Sequence, residues 1–316
     1  MPKKLRGLLL FSGGLDSLLS LKIAEKLNID LTLLIFKSYF FDEKLALKAI
    51  KENKIKWPYR ILDIKKDHLK LVKNPCFGYG KNMNPCLDCR LLMLKIARKI
   101  KEKENFDLVI TGEVLGERPM SQNRYALKLL EKKSGLKGYL LRPLSALLLE
   151  PSILEKKGLI DRKKLLAISS RCRREQFALA KKFQLKWFPT PSGGCLLTDP
   201  TFSLRLKDLF EISNKKGVKE SDLELLKIGR HFLINQKDLK VKIIIGRNYL
   251  ENERLKNLKE RKDVLLEMEN YPGPTVLIRS YKGKITKEIL ENAKNLIIRY
   301  SSKAKEKQDI KFKIFE

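Results

Sequence analysis

The fold is decided by the stretch Leu8-Leu9-Leu10-Phe11-Ser12-Gly13-Gly14-Leu15-Asp16-Ser17. Its first four residues form an apolar run of the length of a buried strand, and the glycines end that strand at once. A helix is predicted next, because apolar residues recur at helical spacing at Leu15, Leu18, Leu19, Ile23 and Leu27. A strand, a glycine loop and a helix in this order favour a parallel α/β sheet.

The same alternation continues outward from this stretch to about Leu144. Apolar runs predict further strands at 31–36, 59–64, 106–111 and 138–141, and helical patterns predict helices at 43–50, 87–100 and 124–131. We therefore expect a twisted parallel sheet with helices on both faces, within a first domain of residues 1–200. Ligands of such sheets bind at the carboxyl ends of the strands.

Beyond about Thr201 the pattern changes. Helices are predicted at 204–212, 249–258 and 287–298, and strands at 232–234, 241–245 and 275–279. These elements do not alternate regularly, so we expect a smaller α+β domain over residues 201–316.

The charge of the chain is strongly positive. Lys and Arg number 68 against 37 Asp and Glu, which gives a formal net charge of +31 in 316 residues. Such an excess favours a polyanionic partner, with nucleic acid preferred to an anionic membrane surface. No apolar run approaches the roughly 18 residues of a membrane helix, and five cysteines with one close pair indicate a reduced, cytoplasmic chain.

The loop from Ser12 to Ser17 is an anion site by its chemistry. Two glycines let backbone amides approach a phosphate closely, Ser12 and Ser17 add hydroxyl groups, and the helix N-terminus adds partial positive charge. Asp16 suits a magnesium ion on pyrophosphate. The loop lacks the Gly-Lys-Ser/Thr ending of a Walker motif and the spacing of a dinucleotide fingerprint, which disfavours γ-phosphate transferases and dehydrogenases.

This loop, directly after a first strand, resembles the PP-loop of ATP pyrophosphatases. The resemblance implies ATP cleavage between the α and β phosphates and adenylation of an acceptor. The segment 111–122 resembles a nucleotide-binding loop of 4-thiouridine synthetases, although its residues 117–120 depart from that pattern, and Arg142 lies in a segment similar to the one after the next strand. The predicted ATP site therefore comprises Ser12, Gly13, Gly14, Asp16, Ser17, Phe36, Gly112 and Arg142.

Three cysteines form the second chemical signal. Cys86 and Cys89 lie one helical turn apart at the start of a predicted helix, where thiolates are favoured. Cys195 follows two glycines in the loop 189–195, which can fold back over the site. Three thiolates suit an iron-sulfur cluster with one open iron, whereas a closed zinc site needs a fourth ligand and neither His68 nor His231 has metal spacing.

This set resembles cluster-bearing thiolation enzymes of the PP-loop class, which implies a [4Fe-4S] cluster on Cys86, Cys89 and Cys195. Related thiouridylases use two cysteines and a persulfide instead. Cys89 and Cys195 would serve either route, and the presence of Cys86 favours the cluster. A zinc site or inert thiols remain the other readings. Cys76 and Cys172 are predicted to be bystanders.

The second domain resembles the RNA-binding domain of NFACT proteins, in which a strand followed by Gly-Arg-Asn and a later Asn recurs. Here those residues are Gly246, Arg247 and Asn248, with Asn252 beyond them. Arg230, Arg247 and Asn248 are the predicted RNA contacts, because arginines grip phosphates.

Together these features predict an ATP-dependent RNA sulfurtransferase, with tRNA as its substrate. Asp16, Cys89 and Cys195 are the predicted catalytic residues, and ATP, Mg2+ and a [4Fe-4S] cluster are the predicted cofactors. Sulfur would come from free sulfide or from a sulfur-carrier protein. Two alternatives stay open: a PP-loop ligase that transfers nitrogen to an RNA base, and a non-catalytic RNA-binding sensor of redox state or iron.

Overall fold

A computed structural model describes residues 4–190, 194–213, 217–304, 307 and 309–316. The chain divides into two compact units, Met1–Thr198 and Asp199–Glu316. None of the helices in these ranges has both the length and the apolar character needed to cross a membrane.

The first unit is built on a parallel sheet of five strands in the order β3-β2-β1-β4-β5. Residue Leu8 of the central strand is in register with Thr32 on one side and Val109 on the other, and both pairings are parallel. The strands are β1 Arg6–Leu10, β2 Asp30–Lys37, β3 Tyr59–Asp63, β4 Leu108–Ile110 and β5 Leu140–Leu141.

Helices cover both faces of this sheet, because the central strands are apolar on both sides. Leu9 belongs to a core with Leu18 and Leu33, whereas its neighbour Leu8 belongs to a second core with Leu94. The helices are α1 Leu15–Lys26, α2 Lys44–Glu52, α3 Lys65–Lys73, α4 Cys86–Lys103, α5 Arg124–Ser134, α6 Ile153–Lys156 and α7 Arg174–Lys182, with 3-10 turns at Ala146–Leu148, Arg162–Lys164 and Leu196–Thr198.

The second unit contains an antiparallel sheet in the order β10-β8-β9-β7-β6. Its core lies around Ile243, Ile278 and Ile297, and the buried guanidinium of Arg279 is held by Asp263 at 2.6 Å. Its elements are α8 Pro200–Ile212, α9 Glu220–Leu225, β6 Arg230–Asn235, β7 Lys240–Ile245, α10 Tyr249–Asn257, β8 Val264–Met268, β9 Val276–Lys282, α11 Lys287–Tyr300 and β10 Phe312–Phe315.

The predicted fold class is confirmed in both parts, a parallel α/β sheet followed by a smaller α+β unit. In the first unit the carboxyl ends of β1, β2 and β4 lie side by side at one edge of the sheet. The loops that leave these three strands therefore meet there, and they contain most of the predicted site.

Candidate active site

The loop between β1 and α1 is shaped for close approach of an anion. Gly13 has a φ of +76°, and a Cβ at this position would lie 2.6 Å from Cα of Ala46. Gly14 precedes the helix in an extended conformation and has no side chain to cap the first turn. The Oγ of Ser17 donates to the carbonyl of Gly14 at 2.8 Å, and Ser12 Oγ accepts from the Gly14 amide at 3.3 Å. The first-turn N–H groups of α1 are thus presented at a loop of fixed shape.

Asp16 lies in the first turn of α1 with 19% of its side chain exposed. Burial, followed by the nearby carboxylate of Glu117, raises the pKa of Asp16 to about 6, although Arg173 and Arg118 oppose this shift. Its Oδ1 atom is buried and has no hydrogen bond of normal geometry in the described part of the chain, although the buried amide of Gln176 is close enough to lower the pKa of Asp16. Nη2 of Arg173 is 3.9 Å from Oδ2. A buried carboxylate oxygen without a partner is costly unless a cation binds it. The position therefore fits a magnesium ion.

A central cavity of about 400 Å³ lies beside this loop. It is lined both by the phosphate loop and by the cysteines, which are far apart in the sequence. We define it by Ser12, Gly14, Asp16, Cys86, Cys89 and Cys195, all of which line it.

Two further residues predicted to bind ATP flank the phosphate loop. Gly112 comes just after β4 and packs directly against the start of α1. A Cβ at this position would lie 2.8 Å from the backbone of Asp16 and Ser17. It lines a smaller cavity of about 200 Å³ that shares the phosphate loop. Phe36 lies near the end of β2 and lines the central cavity with an apolar ring.

Arg142 has a different environment from the one expected for a phosphate contact. Its side chain is 3% exposed, and its Nε donates to Glu113 at 2.8 Å. The other guanidinium nitrogens donate to Glu131 and to the carbonyl of Leu127. Burial alone would raise the pKa of Glu113, but Arg142 and then Arg90 outweigh it and hold that pKa at about 2. Arg142 lines neither of the two cavities and instead fixes the carboxylate that also pairs with Arg90.

The three cysteines reach the central cavity from distant parts of the first unit. Cys86 and Cys89 lie in the first turn of α4, and the Sγ of Cys86 donates to Oδ1 of Asn84 at 3.0 Å. The segment with Cys195 is tied to the loop after β2, because the amide of Leu196 donates to the carbonyl of Phe40 at 2.9 Å. Residues 191–193 of the predicted loop lie outside the described residues. Cys76 and Cys172 are exposed and line no part of this cavity.

His68 is the site residue that the sequence analysis missed. Its Nε2 is 2.6 Å from Sγ of Cys89, and its Nδ1 is 2.9 Å from Oγ of Ser38. The imidazole is fully buried beside the rings of Phe40 and Phe41, and this burial lowers its pKa to about 4. His68 is therefore neutral at pH 7. Its position 21 residues before Cys89 gives no helical or strand periodicity that would reveal the contact.

The environment of Cys89 and Cys195 favours their protonated forms, in contrast to the thiolate expected for Cys89 at the start of a helix. Burial, with further contributions from Cys195 and Cys86, raises the pKa of Cys89 well above its usual range, and burial raises the pKa of Cys195 to about 11. Across the described ranges no three His, Cys, Asp or Glu side chains are gathered to hold a metal ion. The cysteines thus share a cavity without forming a ready-made site for a single ion.

The predicted RNA contacts lie in the second unit. Arg230 begins β6, is exposed, and has its guanidinium 4.7 Å from the ring centroid of Tyr300. Arg247 donates from Nε to the carboxylate of Glu251 at 3.0 Å. Asn248 caps α10, because its Oδ1 accepts from the amide of Glu251 at 3.0 Å. Arg247 and Asn248 thus have structural partners within this helix start.

Comparison with known proteins assigns both parts of the chain. The family described as thiamine biosynthesis protein (ThiI) matches residues 4–153. Residues 4–153 form a ThiI-type domain. The family described as NFACT protein RNA binding domain matches residues 229–316. The ThiI-type PP-loop domain is thus followed by an NFACT-type domain, as the resemblances in the sequence imply.

One curated relative of the ThiI-type domain is named probable tRNA sulfurtransferase, from Moorella thermoacetica. It is 31% identical over 150 residues, which are 45% of this chain and 36% of the relative. This chain therefore aligns with little more than a third of that protein's length.

Two solved structures also show likeness to the chain. A 4-thiouridine synthetase in complex with RNA and bound ATP is 19% identical, covers 70% of this chain and 52% of its own, and has a TM-score of 0.35. The U34-tRNA thiolase NcsA from Methanococcus maripaludis with its [4Fe-4S] cluster is 18% identical, covers 71% and 70%, and has a TM-score of 0.33. At these scores the likeness does not bear on the activity of this chain.

Proposed function

We propose that the chain is an ATP-dependent sulfurtransferase that replaces the carbonyl oxygen of an RNA base, in tRNA, by sulfur. The observation that carries this proposal is the central cavity, where an ATP-type phosphate loop and three cysteines line the same space. A curated relative of the first domain is named as a probable tRNA sulfurtransferase. Cysteines at this position are not needed for nitrogen transfer, and an intact phosphate loop is not needed by a sensor.

The phosphate loop would bind ATP and position it for adenylation of the base. The N–H groups at the start of α1, with Ser12 and Ser17, would hold the phosphates, and the ring of Phe36 would pack against an apolar part of the nucleotide. The base carbonyl oxygen attacks the α-phosphorus, and the bond to pyrophosphate breaks. Sulfur then adds to the activated carbon, and AMP leaves with the former carbonyl oxygen. Adenylation is required because a bare carbonyl oxygen is a poor leaving group.

Asp16 would hold Mg2+ at the pyrophosphate. Its unpartnered Oδ1 atom supports this role, because a cation there would satisfy the buried oxygen. When bound, the ion supplies positive charge that stabilises the departing pyrophosphate. Arg142 would act indirectly, by fixing Glu113 and, through it, Arg90 at the cavity wall.

Sulfur would be delivered from the cysteine side of the cavity. Cys86, Cys89 and Cys195 have the donor chemistry of a [4Fe-4S] site, and a cluster there would supply the sulfur nucleophile. The second route needs only Cys89 and Cys195: a persulfide on one gives its terminal sulfur to the base, and the two thiols end as a disulfide. In the cluster route the sulfur would arrive as sulfide. In the persulfide route it would arrive as the outer sulfur of a persulfide on a sulfur-carrier protein, and a thiol reductant would return the disulfide to two thiols. Thiol chemistry of either kind requires a reducing, cytoplasmic setting.

The second part of the chain would bind the RNA. We propose that residues 1–200 perform the chemistry and that residues 201–316 hold the substrate. The match of 229–316 to an RNA-binding domain and the net charge of +31 support this division. Arg230 is the most available of the predicted contacts, since its guanidinium is exposed over Tyr300.

The proposal is tested by two products of one reaction. Anaerobically prepared protein, ATP, Mg2+ and unmodified tRNA are incubated with either sulfide or a persulfide donor plus a thiol reductant, and pyrophosphate release and nucleoside composition are measured together. We expect tRNA to stimulate pyrophosphate release and a thiolated nucleoside to appear. Asp16→Ala should abolish both signals, whereas Cys89→Ala or Cys195→Ala should abolish only the thiolated nucleoside.

Iron and acid-labile sulfide content separates the two sulfur routes. About four irons and four sulfides per chain, lost in the Cys86→Ala variant, would establish the cluster. Cys172→Ala is the matched control, because this thiol is exposed and lies outside the cavity, and it should retain full activity. An amine incorporated in place of sulfur, or no release of pyrophosphate with any tRNA, would contradict the proposal.

A further inference from the structure

A side pocket of about 300 Å³ lies next to the central cavity. We define it by Phe77, Tyr79, Lys81, Cys86, Arg118 and Arg171, which all line it. Cys86 and Arg118 line the central cavity as well, so the two spaces share a wall. None of the residues predicted from the sequence as ATP or RNA contacts lines this pocket.

We propose that the side pocket receives the RNA base to be modified, stacked on Phe77 or Tyr79. This inference rests on the proposed function and assigns its substrate site. A base within folded RNA must leave its stack before an enzyme can reach its reactive atoms, and enzymes hold such bases between apolar or aromatic side chains. The volume lies at the lower end of the range of small-molecule sites, which suits a single base.

The two aromatic rings are exposed, and hydrogen bonds hold the backbone at Phe77 and the ring of Tyr79. Phe77 and Tyr79 are 38% and 41% exposed, although they lie on one short loop. The buried carboxylate of Asp88 accepts from the amides of Cys76 and Phe77 at 3.0 Å each. The hydroxyl of Tyr79 donates to the carbonyl of Val72 at 2.6 Å. The rings are therefore presented to the pocket at little further cost in conformational entropy on binding.

The pocket also contains cations for the phosphates that flank a base. Lys81, Arg118 and Arg171 line the pocket, and none of them forms an ion pair within the described part of the chain. The one acidic residue in the lining, Glu117, is already paired with Arg173. A pocket lined by exposed rings and by cations matches a single nucleotide of RNA.

The side pocket lies next to the residues that would carry out the reaction. A base stacked in this pocket would lie beside Cys86, at the wall shared with the central cavity, with Arg118 lining both spaces. Its reacting edge would therefore face the space that holds the phosphate loop and the other two cysteines. The residues 117–120, which depart from the pattern of 4-thiouridine synthetases, line the side pocket and would adapt it to the substrate of this chain.

The first test is the double variant Phe77→Ala/Tyr79→Ala, compared with Tyr125→Ala. Tyr125 is 76% exposed in the same unit and does not line the pocket, so it is a matched control. We expect the double variant to lower tRNA-stimulated pyrophosphate release by about tenfold or more, from the loss of base stacking. Affinity for ATP and for tRNA should change by less than about threefold, because phosphate contacts dominate RNA affinity. Tyr79→Phe keeps the ring but loses the hydrogen bond to Val72, so it should lose much less activity than the double variant.

The second measurement does not depend on turnover. Ultraviolet irradiation of the complete protein with uridine-containing tRNA, followed by peptide mass spectrometry, should place a nucleotide adduct on Phe77 or Tyr79. Adducts found only in residues 199–316, or equal losses of activity in the double variant and in Tyr125→Ala, would overturn the assignment. A wild-type protein that forms the adduct but releases no pyrophosphate would contradict the proposed function while leaving the pocket intact.

Discussion

The Nε2 atom of His68 lies 2.6 Å from Sγ of Cys89, and Ser38 binds the other ring nitrogen at 2.9 Å. This pair fixes the orientation of the thiol toward the central cavity. We expect His68→Ala to lower formation of the thiolated nucleoside by about tenfold, the loss of roughly one oriented hydrogen bond. Pyrophosphate release should stay within about twofold of wild type, because the phosphate loop is not touched. Both products are measured in the same incubation.

His68→Gln is the matched variant for this experiment. Glutamine retains a hydrogen-bonding group, so it should recover part of the lost sulfur transfer, whereas a purely structural histidine would show no recovery. Equal loss of pyrophosphate release and sulfur transfer in His68→Ala, with a lowered melting temperature, would mean that the residue only supports the fold.

Arg142 should contribute to stability rather than to direct ATP contact. Arg142→Ala leaves the buried Glu113 with one partner fewer, and breaking a buried ion pair typically costs about 3–5 kcal/mol. Glu113 holds a pKa of about 2, so its ion pairs stabilise the fold above pH 4.5 and lose that effect as pH falls toward 2. Chemical denaturation at pH 7 and pH 3 should therefore show a smaller difference between wild type and variant at the lower pH.

Arg60→Ala is the control for this substitution. Arg60 is 44% exposed in its pair with Glu104, and exposed pairs contribute about 0–1 kcal/mol. If Arg142→Ala is as stable as the wild type but binds ATP more weakly, then Arg142 contacts a phosphate, as the sequence predicts.

The sequence predicts the elements of the first unit better than the residues around its site. Alternating apolar runs place β1 and α1 close to their observed bounds, because local periodicity and glycine chemistry act within a few residues. The sequence does not predict β8 and β10 of the second unit, which are neighbouring antiparallel strands in the sheet. Their pairing is a long-range contact, which a local pattern does not contain.

The same limit explains the outcome for individual side chains. Asp16 and Gly13 are predictable because they belong to one contiguous loop. The ion pair of Arg142 with Glu113 and the contact of His68 with Cys89 join separate elements, so no spacing rule reveals them. For these residues the sequence gives only the chemical type of the side chain. The fold determines which other side chain each of them contacts.

Asp16 should destabilise the free protein at neutral pH. Its pKa of about 6 lies above the ordinary aspartate value of 3.8, so the folded state loses stability as pH rises between these two values. The difference corresponds to about 3 kcal/mol as an upper bound. Asp16→Asn should therefore increase the free energy of unfolding at pH 7 and abolish Mg2+-dependent pyrophosphate release. Urea denaturation and the release assay measure the two effects.

Asp67→Asn is the control, because Asp67 is an exposed acidic residue in the first turn of α3. It should lower stability by a few tenths of a kcal/mol, through loss of a favourable helix-dipole interaction. Added Mg2+ with a non-hydrolysable ATP analogue should stabilise wild type more than Asp16→Asn. Equal stabilisation of the two would mean that Asp16 does not bind the metal.

Gly13 should be required for ATP binding because of its close packing against α2 as well as its positive φ. Gly13 and Gly158 have φ values of +76° and +69°, so alanine is strained at both, by about 1–2 kcal/mol. Only at Gly13 would the added Cβ also lie 2.6 Å from the backbone of α2, whereas nothing lies within 4 Å at Gly158. Gly13→Ala should therefore lower the melting temperature more than Gly158→Ala and should alone weaken ATP binding, measured by calorimetry. If the two variants bind ATP equally well, the close packing of the phosphate loop on α2 does not shape the nucleotide site.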